Sequence, residues 1–153
     1  MILWVRHGQS TWNVLDRMQG QAVHPPLTEL GRHQAAQVAQ NLASRGVTRI
    51  LSSPAVRASQ TAEIIAERLG LGIEIEPLLA EQDLDESVMS VLGRIQEFLA
   101  LDLAGTVVAV SHGDTIGLAI GMLAGQKPVL PGNCSITTVD PHTHEVDVTR
   151  VGD

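Results

Sequence analysis

The chain has 153 residues, 44% apolar and 18% charged, and its 10 Lys and Arg stand against 17 Asp and Glu for a net charge of −7. That length suits one domain spanning 1–153 with a core of its own, and the apolar share excludes a disordered chain. The acidic balance and the scarcity of aromatics (Trp4, Trp12, Phe98 and no Tyr) argue against nucleic acid, which needs cations and stacking rings, but not against one small phosphate held by a local Arg cluster.

In chain order, the apolar run 2–5 before Arg6 reads as a buried strand. It is far too short for a signal peptide or a membrane span, so the expectation is a cytoplasmic protein with no membrane partner. Residues 28–44 read as a helix with Thr28 as N-cap and Ala35, Val38, Ala39 and Leu42 on one face. A short strand over 49–52 leads to a helix for which Ser53 is the expected cap, Pro54 the first position and Gly70 the stop. Residues 73–75 form the next strand. A helix over 86–100, with Asp85 as a plausible cap, turns Val88, Val91, Leu92, Ile95, Phe98 and Leu99 inward. The β-branched run 106–110 reads as a central strand, followed by a helix over 114–123. Cys134 is the sole cysteine, which excludes an intramolecular disulfide and a four-cysteine zinc site; it reads as a small core or loop residue. Strands over 135–139 and 146–151 close the chain. They are joined through Pro141-His142-Thr143-His144, where the two histidines read as solvated hairpin residues.

Strand–helix alternation of this kind implies an α/β three-layer sandwich, with a mainly parallel central sheet and helices on both faces. In such sheets ligands bind beyond the carboxyl ends of the strands. His7, Ser52-Ser53 and His112-Gly113 all fall at such ends. Adjacent strand residues point to opposite faces, so Arg6 and His7 reach one pocket only if the strand stops there, and Gly8 suits a stop. Arg57 lies in the first turn of a helix, an unfavourable place for a cation unless an anion is near. His112 precedes a helix N-terminus, which favours anions, and Asn13 adds an amide donor. Two guanidinium forks, two imidazoles and a helix N-terminus are the inventory for a phosphoryl group.

Arg6-His7-Gly8 with Asn13 resembles the signature of the histidine phosphatase superfamily, the phosphoglycerate-mutase-like proteins. Pro26-Leu27-Thr28-Glu29-Leu30-Gly31 with Gln34-Ala35 resembles its first-helix motif. Ser52-Ser53-Pro54, Arg57-Ala58 and Gln60-Thr61-Ala62 resemble its second arginine motif, and Ser111-His112-Gly113 its second histidine motif. The four motifs occur in the family's order and cover essentially the whole chain.

The resemblance implies a covalent mechanism in which His7 attacks phosphorus. Arg6, Arg57 and His112 would hold the non-bridging oxygens, and Asn13 and Gly113 would help bind the phosphate. By position after Pro77-Leu78-Leu79-Ala80, Glu81 is the matching acid; Asp83, Asp85 and Glu86 are its rivals. No metal and no other cofactor is implied, because the arginines carry the charge. The partner expected is a phosphorylated small molecule or a phosphoprotein, with oligomeric state left open.

Three departures stand out. Relatives commonly insert a helical lid after the acid, and here the helix containing Arg94 begins almost at once. That implies an open site and favours hydrolysis over mutase chemistry, whose phosphoenzyme must be kept from water. His24-Pro25 replaces an Asp before Pro-Leu-Thr, and Gly117 stands where many relatives carry Arg. The expected function is therefore a metal-independent phosphatase acting on phosphate monoesters or a phosphoprotein, phosphohistidine included. Its alternatives are a phosphoglycerate-mutase-type phosphotransferase and a non-catalytic phosphate- or phosphopeptide-binding module.

Overall fold

The computed structural model describes residues 1–11 and 26–150. Asn13 and His24-Pro25 lie outside them. Its elements in chain order are β1 (Ile2–Arg6), α1 (Glu29–Leu42), β2 (Arg49–Ser52), α2 (Val56–Leu69), β3 (Ile73–Ile75), a 3-10 turn (Pro77–Leu79), α3 (Val88–Leu99), β4 (Val107–Ser111), α4 (Gly113–Ala124), β5 (Ile136–Val139) and β6 (Val146–Thr149). Among the described residues no helix is long and apolar enough to cross a membrane.

The strands form one sheet in the order β3-β2-β4-β1-β5-β6. The pairs β3–β2, β2–β4 and β4–β1 are parallel, whereas β1–β5 and β5–β6 are antiparallel. The central strand β4 is Val-Val-Ala-Val-Ser, buried along its whole length, as a strand covered on both faces must be.

Strand alternation divides the core in two. Leu3, Val5, Val108 and Val110 pack on one face against Ala35, Val38 and Leu42 of α1 and Ala58, Ala62 and Ile65 of α2. Trp4, Val107 and Ala109 face the other way, against Val91, Ile95 and Phe98 of α3 and Ile116 and Ala119 of α4. The Trp4 and Phe98 rings meet at 5.6 Å between centroids. The three-layer architecture expected from the alternation is thus the one observed.

The helix starts differ in two places. Helix α2 begins at Val56, with Ala55 at its N-cap position and no side-chain cap bond. Ser53 still continues the strand, its N–H donating to Val110 O (3.0 Å), and its hydroxyl is engaged by His112 Nε2 at 2.8 Å. The expected Ser53 cap is therefore spent elsewhere. Helix α3 begins at Val88, capped by Ser87 rather than Asp85, the Ser87 side chain accepting from Ser90 N–H; Val88, expected to face inward, is exposed at this first position, and Leu92 and Leu99 are half-buried. Thr28 caps α1 and Gly70, at φ +70°, ends α2 as expected.

Candidate active site

Strand β1 ends at Arg6 and hands the chain to the site. His7 N–H donates to Ser111 O at 3.1 Å, so β1 and β4 stop side by side. The His7 ring is buried, with Nδ1 2.7 Å from Gly8 O. A carbonyl only accepts, so Nδ1 holds the proton and Nε2 carries the lone pair. Burial pushes the imidazole pKa from 6.5 down to about 3, and the nearby Arg6 and Arg57 charges add to that. His7 is therefore neutral, with one nitrogen ready to act as a nucleophile.

The loop behind it is held by uncharged side chains. A Cβ on Gly8 would stand 2.5 Å from Gly31 O, so the loop and the start of α1 touch backbone to backbone. Gly8 N–H donates to Thr61 Oγ1 (3.1 Å), and that hydroxyl donates to Arg57 O (2.8 Å). Gln9 N–H donates to Gln34 Oε1 and Leu27 N–H to Gln60 Oε1, each at 2.9 Å. Gln34, Gln60 and Thr61, noticed in the sequence only as motif members, thus supply hydrogen-bond partners for a loop whose strand-like pairing is the isolated Ser10–Leu27 bridge.

Around His7 stand the other expected groups. Arg6 donates through Nη1 to Pro131 O at 2.7 Å, while its Nε is buried with no hydrogen-bond partner among the described residues. Arg57 is fully buried in the first turn of α2 and donates through Nη2 to Glu81 Oε2 at 2.9 Å. His112 caps α4, its ring centroid 5.2 Å from that of His7 in an edge-on arrangement. Ser53 Oγ accepts from Ala55 N–H (3.3 Å) and lies 2.8 Å from His112 Nε2. His112 Nδ1 is buried with no hydrogen-bond partner among the described residues, 3.9 Å from Glu81 Oε2. Burial drives the His112 pKa well down, assisted by His7 and the arginines. Gly113 is the first residue of α4 and lies against the Arg6 guanidinium, 3.3 Å from where its Cβ would be.

Glu81 sits on a strap without ladder partners, and side chains from three elements receive its carbonyls. Ser111 Oγ donates to Leu79 O (2.6 Å), Thr115 Oγ1 to Ala80 O (2.9 Å), and Arg94 to Leu78 O, Ala80 O and Glu81 O. Arg94 is neutralised by a two-pronged pair with Glu86, at 2.7 and 3.1 Å. Hydrogen bonds from Arg94 hold the Glu86 carboxyl down at about 2, whereas burial raises Glu81, with Arg57 opposing and Asp114 reinforcing the rise. Of the rival acids, Glu86 is committed to Arg94, and Asp83 and Asp85 are exposed. In the sequence Arg94 marks only the helix that follows the acid, and no role is read for it; its one signal is a cation in the middle of a helix, eight positions after an acid.

Gly117 also finds a reason. A Cβ there would stand 2.9 Å from Val129 O, because the 126–131 segment packs down onto α4. An arginine at this position would have to push that segment away. His142 is exposed, and His144 Nδ1 lies 3.0 Å from Leu123 O. Buried Cys134, its thiol pushed up to about 12 by burial, donates its N–H to Arg6 O at 2.9 Å.

One pole of the sheet thus gathers two neutral imidazoles, two arginines and a buried carboxyl group at a helix N-terminus. The family model of the histidine phosphatase superfamily (branch 1) matches residues 2–90. Probable phosphoglycerate mutases GpmB of Photorhabdus laumondii and Proteus mirabilis are 30% and 32% identical, over 89% of this chain and 82% of each relative. The chain belongs to the histidine phosphatase superfamily, in its phosphoglycerate-mutase-like branch 1. Among solved structures, a mycobacterial glucosyl-3-phosphoglycerate phosphatase complexed with VO3 is similar at a TM-score of 0.81 and 28% identity, covering 98% of this chain and 97% of that one. A phosphoserine phosphatase mutant from Entamoeba histolytica, in complex with phosphoserine, reaches 0.78 at 25% identity, over 98% and 95%. The alignment to the GpmB relatives runs over 178 positions, more than the 153 residues of this chain, so those relatives carry residues inside the aligned span that this chain lacks.

Proposed function

We propose that this chain is a phosphomonoester phosphatase that passes the phosphoryl group through His7 and needs no metal ion. The observation that carries the reading is the His7 ring itself, neutral, its Nδ1 proton fixed on Gly8 O, and its Nε2 left as a lone pair beside Arg6 and Arg57. In the first step Nε2 bonds to phosphorus as the bond to the ester oxygen breaks, and the Glu81 carboxyl gives its proton to that oxygen. In the second, Glu81 takes a proton from water as the water oxygen bonds to phosphorus, and the nitrogen–phosphorus bond breaks to release inorganic phosphate and regenerate His7. Arg6, Arg57 and His112 receive the non-bridging oxygens, with the Gly113 end of α4, in the role a divalent metal plays elsewhere. Asn13 joins them by family resemblance.

The raised Glu81 pKa suits this double duty, since a carboxyl with an ordinary value is ionised too completely at neutral pH to donate. The likeness to probable phosphoglycerate mutases favours a second reading, transfer to a phosphoglycerate. Only six residues, 82–87, separate Glu81 from α3, and that short turn supports water as the acceptor instead.

The test is hydrolysis of para-nitrophenyl phosphate in excess chelator, with wild type and His7→Ala. Turnover that survives chelation and vanishes in the variant is the expected result. Chelator-sensitive turnover would overturn the metal-free mechanism. Absence of turnover with phosphate affinity intact would point to a binding module.

A further inference from the structure

A groove between α3 and α4 opens directly onto the site. At its mouth stand Gln82, which follows Glu81, Gly113 and Asp114, which follow His112, and Leu130, next to the Pro131 carbonyl that receives Arg6. Each wall is thus the chain neighbour of a group that touches the phosphoryl site. The mouth encloses about 240 Å³, and the groove continues past Val88 and Leu118 toward Met122.

Its surface is mostly apolar, with Gln82, Gln96 and Asp114 as the polar exceptions among the described residues. Leu130 is 61% exposed and Val88 47%. Asp114, an acid, is the one charged residue among the described residues that line the groove. No Lys or Arg is among those residues, although the Arg6 guanidinium stands at the mouth, against Gly113. The 126–131 segment lies this close to α4 because Gly117 has no side chain to hold it off.

We propose that this groove takes the leaving group of the substrate and selects an uncharged, apolar one, a short alkyl chain or a single ring. The proposal rests on the phosphatase reading, which fixes the ester oxygen against Glu81. A leaving group attached to that oxygen emerges between Gln82 and Leu130, at the mouth of the groove. Covering exposed Val88 and Leu130 is favourable for a hydrocarbon. Among the described residues that line the groove no Lys or Arg receives a carboxylate and Asp114 repels one, so carboxylated esters of the phosphoglycerate kind are disfavoured there.

The experiment uses n-alkylphosphonates, which bind without being hydrolysed, from methyl to hexyl, measured by calorimetry on the whole chain. Each added methylene is expected to raise affinity roughly two- to fourfold until the groove is filled. A chain of matched length ending in a carboxylate is expected to bind no better than methylphosphonate. Val88→Asn and Leu130→Asn, at exposed positions where folding is not at stake, are expected to flatten the chain-length dependence. A flat series in wild type, a preference for the carboxylated compound, or a slope that survives both variants each overturns the proposal. So does sedimentation showing a dimer that Leu130→Asn dissociates, since a second copy then covers the groove. Turnover of para-nitrophenyl phosphate with a flat phosphonate series condemns the groove alone; a rising series with no turnover of any ester condemns the phosphatase reading alone.

Discussion

His7 and His112 are buried in a form that water would not favour at mildly acidic pH, and this has a thermodynamic signature. The unfolded chain takes a proton on each imidazole below pH 6.5, and folded His7 refuses it until about 3. The unfolded state therefore binds more protons across that window, and stability falls as pH drops through it. Between pH 7 and 5 neutral, buried His7 contributes a loss of roughly 2 kcal/mol, and His112 adds a loss of the same sign. Denaturant titrations at the two pH values should show His7→Asn losing that much less than wild type; an identical loss in both would mean that His7 is protonated in the fold. For activity, Arg57→Ala should raise the barrier by at least ~2.7 kcal/mol, as for loss of one oxyanion donor. The cost should appear in kcat/KM, since the guanidinium also orients Glu81. Glu81→Gln should lower turnover about 10²–10⁴-fold, and more for alkyl than for para-nitrophenyl esters, because a poor leaving group depends more on the proton. An undiminished rate in that variant would assign the acid elsewhere.

The two site-bearing loops are built on different logic from the helices and strands around them. Helix faces and strand runs were legible in the sequence because periodicity reports burial, and burial is what the core rewards. The loops have no period. The nucleophile loop depends on two glycine backbones in contact, and Gly31→Ala places a methyl against Gln9 O. Overpacking of this kind costs about 1–3 kcal/mol, and because the strain falls on the residues after His7, turnover should drop further than thermal stability implies. The acid strap depends on Arg94, whose guanidinium serves three carbonyls and one carboxylate. Arg94→Met should destabilise the fold by about 2–4 kcal/mol by leaving Glu86 and those carbonyls short of donors. Arg94→Lys should restore part of the stability but less of the activity, since an ammonium lacks the planar fork. The same absence of period explains the two misplaced helix starts. Ser53 reads as a cap until one sees that His112, far along the chain, claims its hydroxyl, and no local pattern announces Ser87 over Asp85.

At the scale of the whole molecule the alternation of strands and helices was enough to place the site, because parallel β1, β2 and β4 must end together. The identity of the clustered groups followed from motif order; their protonation states did not, because those depend on burial and on partners distant in sequence. The short turn between Glu81 and α3 belongs to this scale as well. With phosphorylated substrate and glycerate both present, release of inorganic phosphate should dominate over transfer, read by phosphorus NMR; predominant transfer would favour the mutase reading. One further consequence lies in how the two halves of the site are mounted. The His7 loop is fastened to α1 and α2, through Gly31, Gln34 and Thr61, whereas the Glu81 strap is fastened to α3 and α4, through Arg94 and Thr115. Nucleophile and acid therefore ride on opposite sides of the sheet, like the two jaws of a vice, and Arg57–Glu81 is the contact that closes it. A slight slide of either helical layer over the strands changes the gap in which a phosphate ester must fit, so repacking Val38 or Ile95, each deep in a different core, tunes the reaction without altering one atom that meets the substrate.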